Sequence, residues 1–170
     1  MRERFITFKQ SDKAFFKVCG DLSSRGYLIS IPMGEQHSYD IIIDNGVLKR
    51  IQIKHCSLDS NGTIELRNSF YSYYKKNGHF KKVGGYIAGD FDYFAAYIPQ
   101  LNIIIYPPFS LLGKYIRVLP QKNKCRAFYW YGDFLNFNDS PPIKRCSKEL
   151  TNDFTNLVAR VGHSPTTSPL

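Results

Sequence analysis

The chain has 170 residues, 43% of them hydrophobic and 22% charged, with a formal net charge of +9. This composition excludes a disordered chain and is sufficient for one domain with its own core, and the longest apolar runs are too short to cross a membrane. The charge favours a polyanionic partner, although a generally basic protein would have the same composition. The four widely spaced cysteines lack a C-x-x-C pair, which favours reduced thiols over a zinc site.

The first 26 residues predict an arm followed by a helix. Residues 1–10 hold alternating basic and aromatic side chains and are expected to form an extended arm. Ser11 is the expected N-cap of the helix, and Gly26 is expected at its C′ position. The helix has an apolar stripe spaced to face a sheet: Ala14, Phe15, Val18, Cys19 and Leu22.

Residues 38–54 form two apolar runs joined by Asp-Asn-Gly, a strong signal for a β-hairpin. A two-residue turn at 45–46 would place Asp40 on the opposite face from Gln52 and Lys54. A three-residue turn at 44–46, with Gly46 left-handed, places Asp40, Gln52 and Lys54 on one face. That turn also gathers the apolar side chains on the other face, interrupted only by Lys49: Ile41, Ile43, Val47, Ile51 and Ile53. The hydrophobic pattern therefore favours the three-residue turn.

The rest of the chain predicts short strands and turns. The expected elements are a strand at 27–31, a turn at 61–62, a strand at 63–67, a helical piece between 68 and 83, a turn at 84–85, strands at 92–98 and 102–106, a short helix at 107–112, an extended segment at 115–119, a helix at 153–161 and a flexible tail at 162–170.

The arrangement of Asp40 on one strand and Gln52-Ile53-Lys54 on the next resembles the signature of the PD-(D/E)XK nuclease superfamily. Three further segments resemble homing endonucleases encoded by bacterial group I introns: Arg25-Gly26-Tyr27, Ile31-Pro32-Met33-Gly34 leading into Tyr39-Asp40, and Asp92-Tyr93-Phe94-Ala95-Ala96-Tyr97-Ile98-Pro99. The resemblance implies an α/β fold of the restriction-endonuclease-like type, with a mixed β-sheet flanked by helices. We expect a nuclease domain at 1–140 and a C-terminal extension at 141–170.

The residues of the hairpin suit phosphodiester hydrolysis, which requires a hard cation held by oxygen atoms, an activated water and positive charge near the transition state. Asp40, the Gln52 side-chain carbonyl and the Ile53 backbone carbonyl are the expected ligands of Mg²⁺, with Mn²⁺ as a substitute. Lys54 would orient or deprotonate the water, or stabilise phosphate charge. Alternatively, Asp40 caps a turn, and Gln52 and Lys54 are solvated positions on an exposed sheet face.

Two positions depart from the superfamily pattern. Gln52 replaces an acid, as it does in the intron-encoded subgroup, and this predicts weaker cation binding in the absence of DNA phosphate. Many relatives carry a Glu in the first helix where this chain has Phe15. Asp12, one turn earlier, would supply that carboxylate as a further catalytic residue, or is explained by the helix dipole alone.

A loop at about 68–90 interleaves aromatic and cationic residues that could contact double-stranded DNA. The candidates are Tyr73, Tyr74, Lys75, Lys76, His79, Lys81 and Lys82. The alternative is a solvated loop. Asp90 and Asp92 are further candidates for metal ligands. The position of Asp92 at the start of an apolar strand favours a structural role instead.

The expected function is a homing endonuclease that makes double-strand breaks at a specific DNA site and promotes group I intron mobility. Cutting both strands requires two active centres, so we expect a homo-oligomer, a dimer or a tetramer. The alternatives are a structure-selective nuclease such as a Holliday-junction resolvase, or a catalytically decayed DNA-binding module of the same fold. Because no apolar signal segment follows Met1, we expect a cytoplasmic protein with the bacterial nucleoid as its default location, or an organellar one, and no membrane partner.

Overall fold

A five-stranded mixed sheet carries a helix on one face and a small second sheet on the other. The computed structural model describes residues 2–34, 36–68, 70–73, 80–119 and 127–145, with backbone alone for 2–8, 70–73 and 80–83. The elements are α1 (Arg2–Ser24), β1 (Leu28–Ser30), β2 (Ile41–Asp44), β3 (Leu48–His55), β4 (Thr63–Glu65), β5 (Phe70–Tyr73), β6 (Phe80–Gly84), β7 (Tyr93–Ile98), β8 (Ile103–Ile105), β9 (Tyr115–Arg117) and β10 (Tyr129–Trp130), with short 3₁₀ helices at Phe109–Leu111 and Tyr131–Phe134.

The main sheet has the order β1-β2-β3-β7-β8, in which only the β3–β7 pair is parallel. The second sheet has the order β10-β9-β4, and β5 pairs with β6 as a separate antiparallel pair. The mixed sheet confirms the expected fold class. In the described part of the chain, however, one α-helix covers one face, and the second sheet with its 3₁₀ turns covers the face where a further helix was expected.

Helix α1 packs its predicted stripe against the sheet. Ala14, Val18 and Leu22 are completely buried, and they join a cluster with residues of β2, β3 and β7. The chain turns at Gly26, whose φ of +83° suits a residue without a Cβ. The predicted helix start at Ser11 was wrong, because α1 begins at Arg2. Residues 2–10 contain several good helix formers and neither Gly nor Pro, so they extend the helix instead of forming an extended arm.

The β2–β3 turn differs by one residue from the predicted one. Asp44 pairs with Leu48, so the three turn residues are 45–47 and not 44–46. Gly46 keeps a positive φ of +99°, and its N–H donates to Asp44 Oδ1 at 2.8 Å. Val47 is 62% exposed at the turn and does not belong to the apolar face. The shift is two positions in the strand pairing, so the side chains that remain in the strands keep their predicted faces, and Val47 alone leaves the predicted apolar set.

The turn yields a stability prediction. Gly46→Ala should lower the free energy of unfolding by about 1–2 kcal/mol, because a Cβ is disfavoured at positive φ. Gly20→Ala is the matched control: Gly20 lies inside α1 with no atom within 4 Å of a new Cβ. That control should gain about 0.5–1 kcal/mol from helix propensity. Urea unfolding of both variants measures the difference, and equal effects would contradict the assigned turn.

Lys49, the cation that interrupts the apolar face, is largely buried itself and pairs with an exposed carboxylate at the protein surface. Its Nζ lies 2.8 and 3.0 Å from the Asp139 carboxylate oxygens and 4.9 Å from the centre of the Tyr93 ring. The Tyr93 hydroxyl donates to the same carboxylate. This group ties the segment around Asp139 to the helix-side face of the sheet, so the charge does not disturb the core.

Most of the remaining predicted elements are confirmed where the structure describes them. The turn predicted at 84–85 was wrong, because Gly84 is the last residue of β6 and the turn lies at 88–89. The strands at 27–31, 63–67, 92–98 and 102–106 correspond to β1, β4, β7 and β8, and the short helix at 107–112 is a 3₁₀ turn. The helical piece expected after residue 68 was wrong for its described residues, because these form β5 and β6. The predicted helix at 153–161 and the tail lie outside the described residues. Within the described ranges, no helix is long and apolar enough to cross a membrane.

Candidate active site

The β2–β3 hairpin brings the three predicted catalytic side chains to one place. Asp40 lies immediately before β2, and Gln52 and Lys54 lie on β3. Oδ2 of Asp40 accepts two hydrogen bonds of 2.6 Å, one from the backbone N–H of Ile53 and one from Nε2 of Gln52. These contacts join the residue just before β2 to the middle of β3. Asp40 is therefore held by the site residues, and the interpretation of Asp40 as a turn cap is not supported.

Gln52 connects the oxygen atoms that would hold a cation. Its side chain is 8% exposed, and Nε2 also lies 3.3 Å from the carbonyl oxygen of Ile53. The Asp40 carboxylate, the Gln52 amide and the Ile53 carbonyl thus converge. Rotation of the Gln52 amide would present Oε1, instead of Nε2, towards this point. Gln52 is consequently not a solvated surface position.

The positive charge around the Asp40 carboxyl does not fully compensate for its burial. Burial raises the pKa of Asp40, and the Ile53 N–H, the charge of Lys54 and the Gln52 amide oppose this effect without cancelling it. A neighbouring cation would stabilise the charged form of a carboxylate in such a site. The electrostatics therefore suit a metal-binding carboxylate.

Lys54 is oriented by a residue that the sequence did not reveal. Its Nζ donates a 2.7 Å hydrogen bond to the Tyr86 hydroxyl and lies 5.0 Å from the centre of the same ring. Tyr86 follows β6, and 32 positions of chain separate it from Lys54. No short-range pattern marks such a pair, so only the three-dimensional structure identifies it.

The site opens into a cleft of about 630 Å³ between α1 and β3. Its lining residues are Gln10, Ser11, Asp12, Ala14, Phe15, Asp40, Gln52, Ile53, Lys54, His55 and Arg67. Asp12 is exposed and Phe15 is half-buried, and both face the same cleft as Asp40. The helix-dipole explanation for Asp12 was wrong, because Asp12 lies in the interior of a helix that begins at Arg2.

A second cleft of about 530 Å³ continues from the first. The two clefts share Gln10, Lys54, His55 and Arg67. Burial lowers the pKa of His55, and the charge of Lys13 lowers it further. Arg67 forms an exposed ion pair with Glu65 at 3.0 Å, which contributes little stability and leaves the guanidinium accessible to an anion. The two clefts form one groove, to which Lys54 and Arg67 contribute cationic groups and Asp12, Asp40, Asp59 and Glu65 contribute acidic ones.

The donor set fits a hard cation with few protein ligands. Among the described residues, no group of three His, Cys, Asp or Glu side chains is placed to hold a metal. One carboxylate, one amide oxygen and one backbone carbonyl remain, all of them oxygen donors. Mg²⁺ accepts such a set because it retains several waters and requires only one or two carboxylates. The residues present are thus compatible with the expected ion.

The other predicted site residues divide into two groups. The structure describes only the backbone of Tyr73 in β5 and of Lys81 and Lys82 in β6, and the candidates Tyr74, Lys75, Lys76 and His79 lie outside the described residues. Asp92 accepts the Arg50 N–H at 2.7 Å and forms an ion pair with the Arg50 guanidinium at 3.2 Å. Asp90 accepts the Ile87 N–H at 2.9 Å. These bonds agree with the structural role favoured for Asp92 and indicate one for Asp90 as well.

Comparison with known proteins gives the family of this chain and a solved structure that shares its fold. The sequence model of the PD-(D/E)XK endonuclease family matches residues 6–135. A solved bacterial homing endonuclease, I-Ssp6803I, shares the fold, with a TM-score of 0.56, 22% sequence identity and coverage of 71% of this chain and 82% of that one. No curated protein matches the sequence. Because the family match spans most of the chain, including the hairpin with Asp40, Gln52 and Lys54, this chain belongs to the PD-(D/E)XK endonuclease family.

Proposed function

We propose that the protein is a Mg²⁺-dependent homing endonuclease that makes double-strand breaks at a specific DNA site and so promotes the mobility of a group I intron. The observation that carries the proposal is the convergence of Asp40, Gln52 and the Ile53 carbonyl beside Lys54 in an open groove. Family membership and the fold shared with a bacterial homing endonuclease support it.

Each site residue has a defined task in the proposed reaction. Asp40, Gln52 and the Ile53 carbonyl would hold the cation; when bound, the cation supplies Lewis-acid stabilisation of the phosphate charge and lowers the pKa of a water. As an ammonium, Lys54 orients the attacking water or stabilises the charge that develops on the phosphate; deprotonation of the water would require the neutral amine. Asp12 supplies the carboxylate that many relatives carry at the position of Phe15. The groove walls keep the scissile phosphate beside these groups.

The positive charge of the chain supports a DNA partner. A net charge of +9 attracts phosphates, and the accessible Arg67 lies in the groove beside Lys54. Strands β5 and β6 and the segment between them contain the cationic and aromatic residues proposed to contact the DNA. Since one centre cuts one strand, a dimer or tetramer would provide the second centre.

The proposal is tested by incubating the protein with Mg²⁺ and a library of linear duplex DNA with randomised sequence, with a four-way junction as the comparison substrate. Cleavage of both strands at one site of the linear DNA is the expected result. Selective cleavage of the junction would instead assign a junction resolvase. Salt-sensitive duplex binding without cleavage in Mg²⁺ or Mn²⁺ would assign a DNA-binding module.

The amide at Gln52 makes cation affinity a testable property. Gln52→Glu should bind Mn²⁺ about tenfold more tightly in the absence of DNA, because a second carboxylate adds negative charge to the oxygen donors. Isothermal titration calorimetry measures the change. Gln100→Glu, which adds the same negative charge at an exposed position outside the lining of both clefts, is the control for the overall charge. Equal affinity of Gln52→Glu and wild type would place the cation elsewhere.

A further inference from the structure

Tyr86 is held rigidly in the core next to the site. It is 6% exposed, and its ring packs edge-on against Phe91 at 5.0 Å and 86° and against Phe94 at 6.4 Å and 82°. These aromatic contacts fix the plane of the ring and therefore the position of its hydroxyl. A rigid group of this kind can hold a flexible side chain in one geometry.

The backbone of Tyr86 is also anchored. Its N–H donates a 2.8 Å hydrogen bond to Oδ1 of Asn68, a residue that precedes β5. Gly85 allows this contact, because a Cβ at that position would lie 3.0 Å from Asn68 Oδ1 and 3.3 Å from the Asn68 carbonyl oxygen. Asn68 and Tyr86 thus close the base of the β5–β6 pair, directly beside Lys54.

The Lys54 side chain has many rotamers, and its hydrogen bond to Tyr86 selects among them. Its Nζ is 2.7 Å from the Tyr86 hydroxyl oxygen and 5.0 Å from the ring centre. A charge-assisted hydrogen bond to a hydroxyl with a fixed position restricts the ammonium to a narrow region. Asp40 and Gln52 contact each other and Ile53, so their bonds cannot fix Lys54.

We propose that Tyr86 is a positioning residue that holds the Lys54 ammonium at the scissile phosphate, and that the Asn68 contact fixes Tyr86 for this task. This inference rests on the proposed nuclease function. The tyrosine does not touch the substrate; it restricts the catalytic lysine before DNA arrives. Pre-positioning of this kind lowers the ordering cost of the chemical step and leaves DNA affinity unchanged.

The test is Tyr86→Phe, which removes the hydroxyl and keeps the ring. The single-turnover cleavage rate should fall about 10- to 100-fold, the range found for outer-shell partners of active-site groups. The dissociation constant of the variant for duplex DNA in EDTA should stay within about threefold of the wild-type value, a much smaller change than the fall in cleavage rate. Tyr93→Phe is the matched control: its hydroxyl donates to Asp139, and the residue lies on the other face of the sheet. It should cleave at the wild-type rate.

A second measurement reads the lysine without any activity. A ¹H–¹⁵N spectrum of the lysine ammonium groups, with the Lys54 signal assigned by its loss in Lys54→Met, should contain that signal in wild type and Tyr93→Phe and lose it in Tyr86→Phe. An unchanged signal or an unchanged cleavage rate in Tyr86→Phe would each overturn the positioning role. If wild type itself cuts no DNA, the proposed function fails separately, and the spectrum alone decides whether Tyr86 holds Lys54.

Discussion

Replacing Lys54 with alanine should reduce DNA cleavage about 10²- to 10⁴-fold, the range expected when a group that transfers a proton or stabilises developing charge is removed. Lys54 lies on β3 in the same cleft as Asp40, and its Nζ is held by Tyr86. The side chain is partly exposed and contributes little to the core, so the fold should persist. Single-turnover cleavage with Mg²⁺ measures the effect.

The control for this prediction is Lys17→Ala, which removes an equal charge from an exposed position on α1. It should cleave at nearly the wild-type rate, and both variants should bind duplex DNA in EDTA with similar affinity, since one lysine among 23 basic residues changes the overall charge little. Nicking by Lys54→Ala at the wild-type rate would remove Lys54 from the proposed mechanism. A parallel loss in Lys17→Ala would assign the effect to charge alone.

The face of the hairpin that carries the site was predictable from its pattern, but the position of the turn was not. Alternating Ile41, Ile43, Ile51 and Ile53 predict one buried face and hence the position of the polar residues. Turns at 44–46 and 45–47 preserve the same faces, so hydrophobicity cannot distinguish them. The structure has the second turn, in which Asp44 Oδ1 accepts the Gly46 N–H. Ile42 therefore pairs with Arg50, where the predicted turn would have placed Asp40.

The length of α1 and the role of Asp12 show a different limit of sequence reasoning. Ser11 followed by Asp12 is a typical helix N-terminus, and local chemistry alone favours a start there. Nothing in residues 2–10 breaks a helix, however, and the polar residues among them have good helix propensity. A capping signal inside a continuous helix has no effect on where that helix begins. Only the observed start at Arg2 removes the dipole as the reason for Asp12.

Tyr86 and Lys49 depend on contacts between distant parts of the chain. The Lys54–Tyr86 bond spans 32 positions, and the Lys49–Asp139 bond spans 90. The Lys54–Tyr86 bond depends on the packing of the second sheet, and the Lys49–Asp139 bond depends on the packing of the segment near Asp139. A single sequence contains no local signal for either pair, although Lys49 on an apolar face already indicated that a partner was needed.

Replacing Asp40 with asparagine should abolish both cation binding and cleavage, with a loss of rate of at least about 10³-fold, because positioned charge at a phosphate is among the largest catalytic contributions. Asp40 supplies the only carboxylate among the three converging donors. Its Oδ2 accepts from Ile53 N–H, and an asparagine carbonyl oxygen can accept the same bond. Burial raises the pKa of Asp40, so removal of its charge should not destabilise the metal-free fold.

Asp44→Asn is the matched control for Asp40→Asn, since it makes the same chemical change in the same hairpin. Its Oδ1 accepts the Gly46 N–H, a bond that asparagine retains. Thermal unfolding with increasing Mn²⁺ separates the two sites: cation binding should raise the melting temperature of wild type and of Asp44→Asn and leave that of Asp40→Asn unchanged. A cation-dependent rise in Asp40→Asn equal to that of wild type would show that the ion binds away from the hairpin. In that case the oxygen atoms around Gln52 would not be the metal ligands, and the catalytic assignment of Asp40 would have to be abandoned with them.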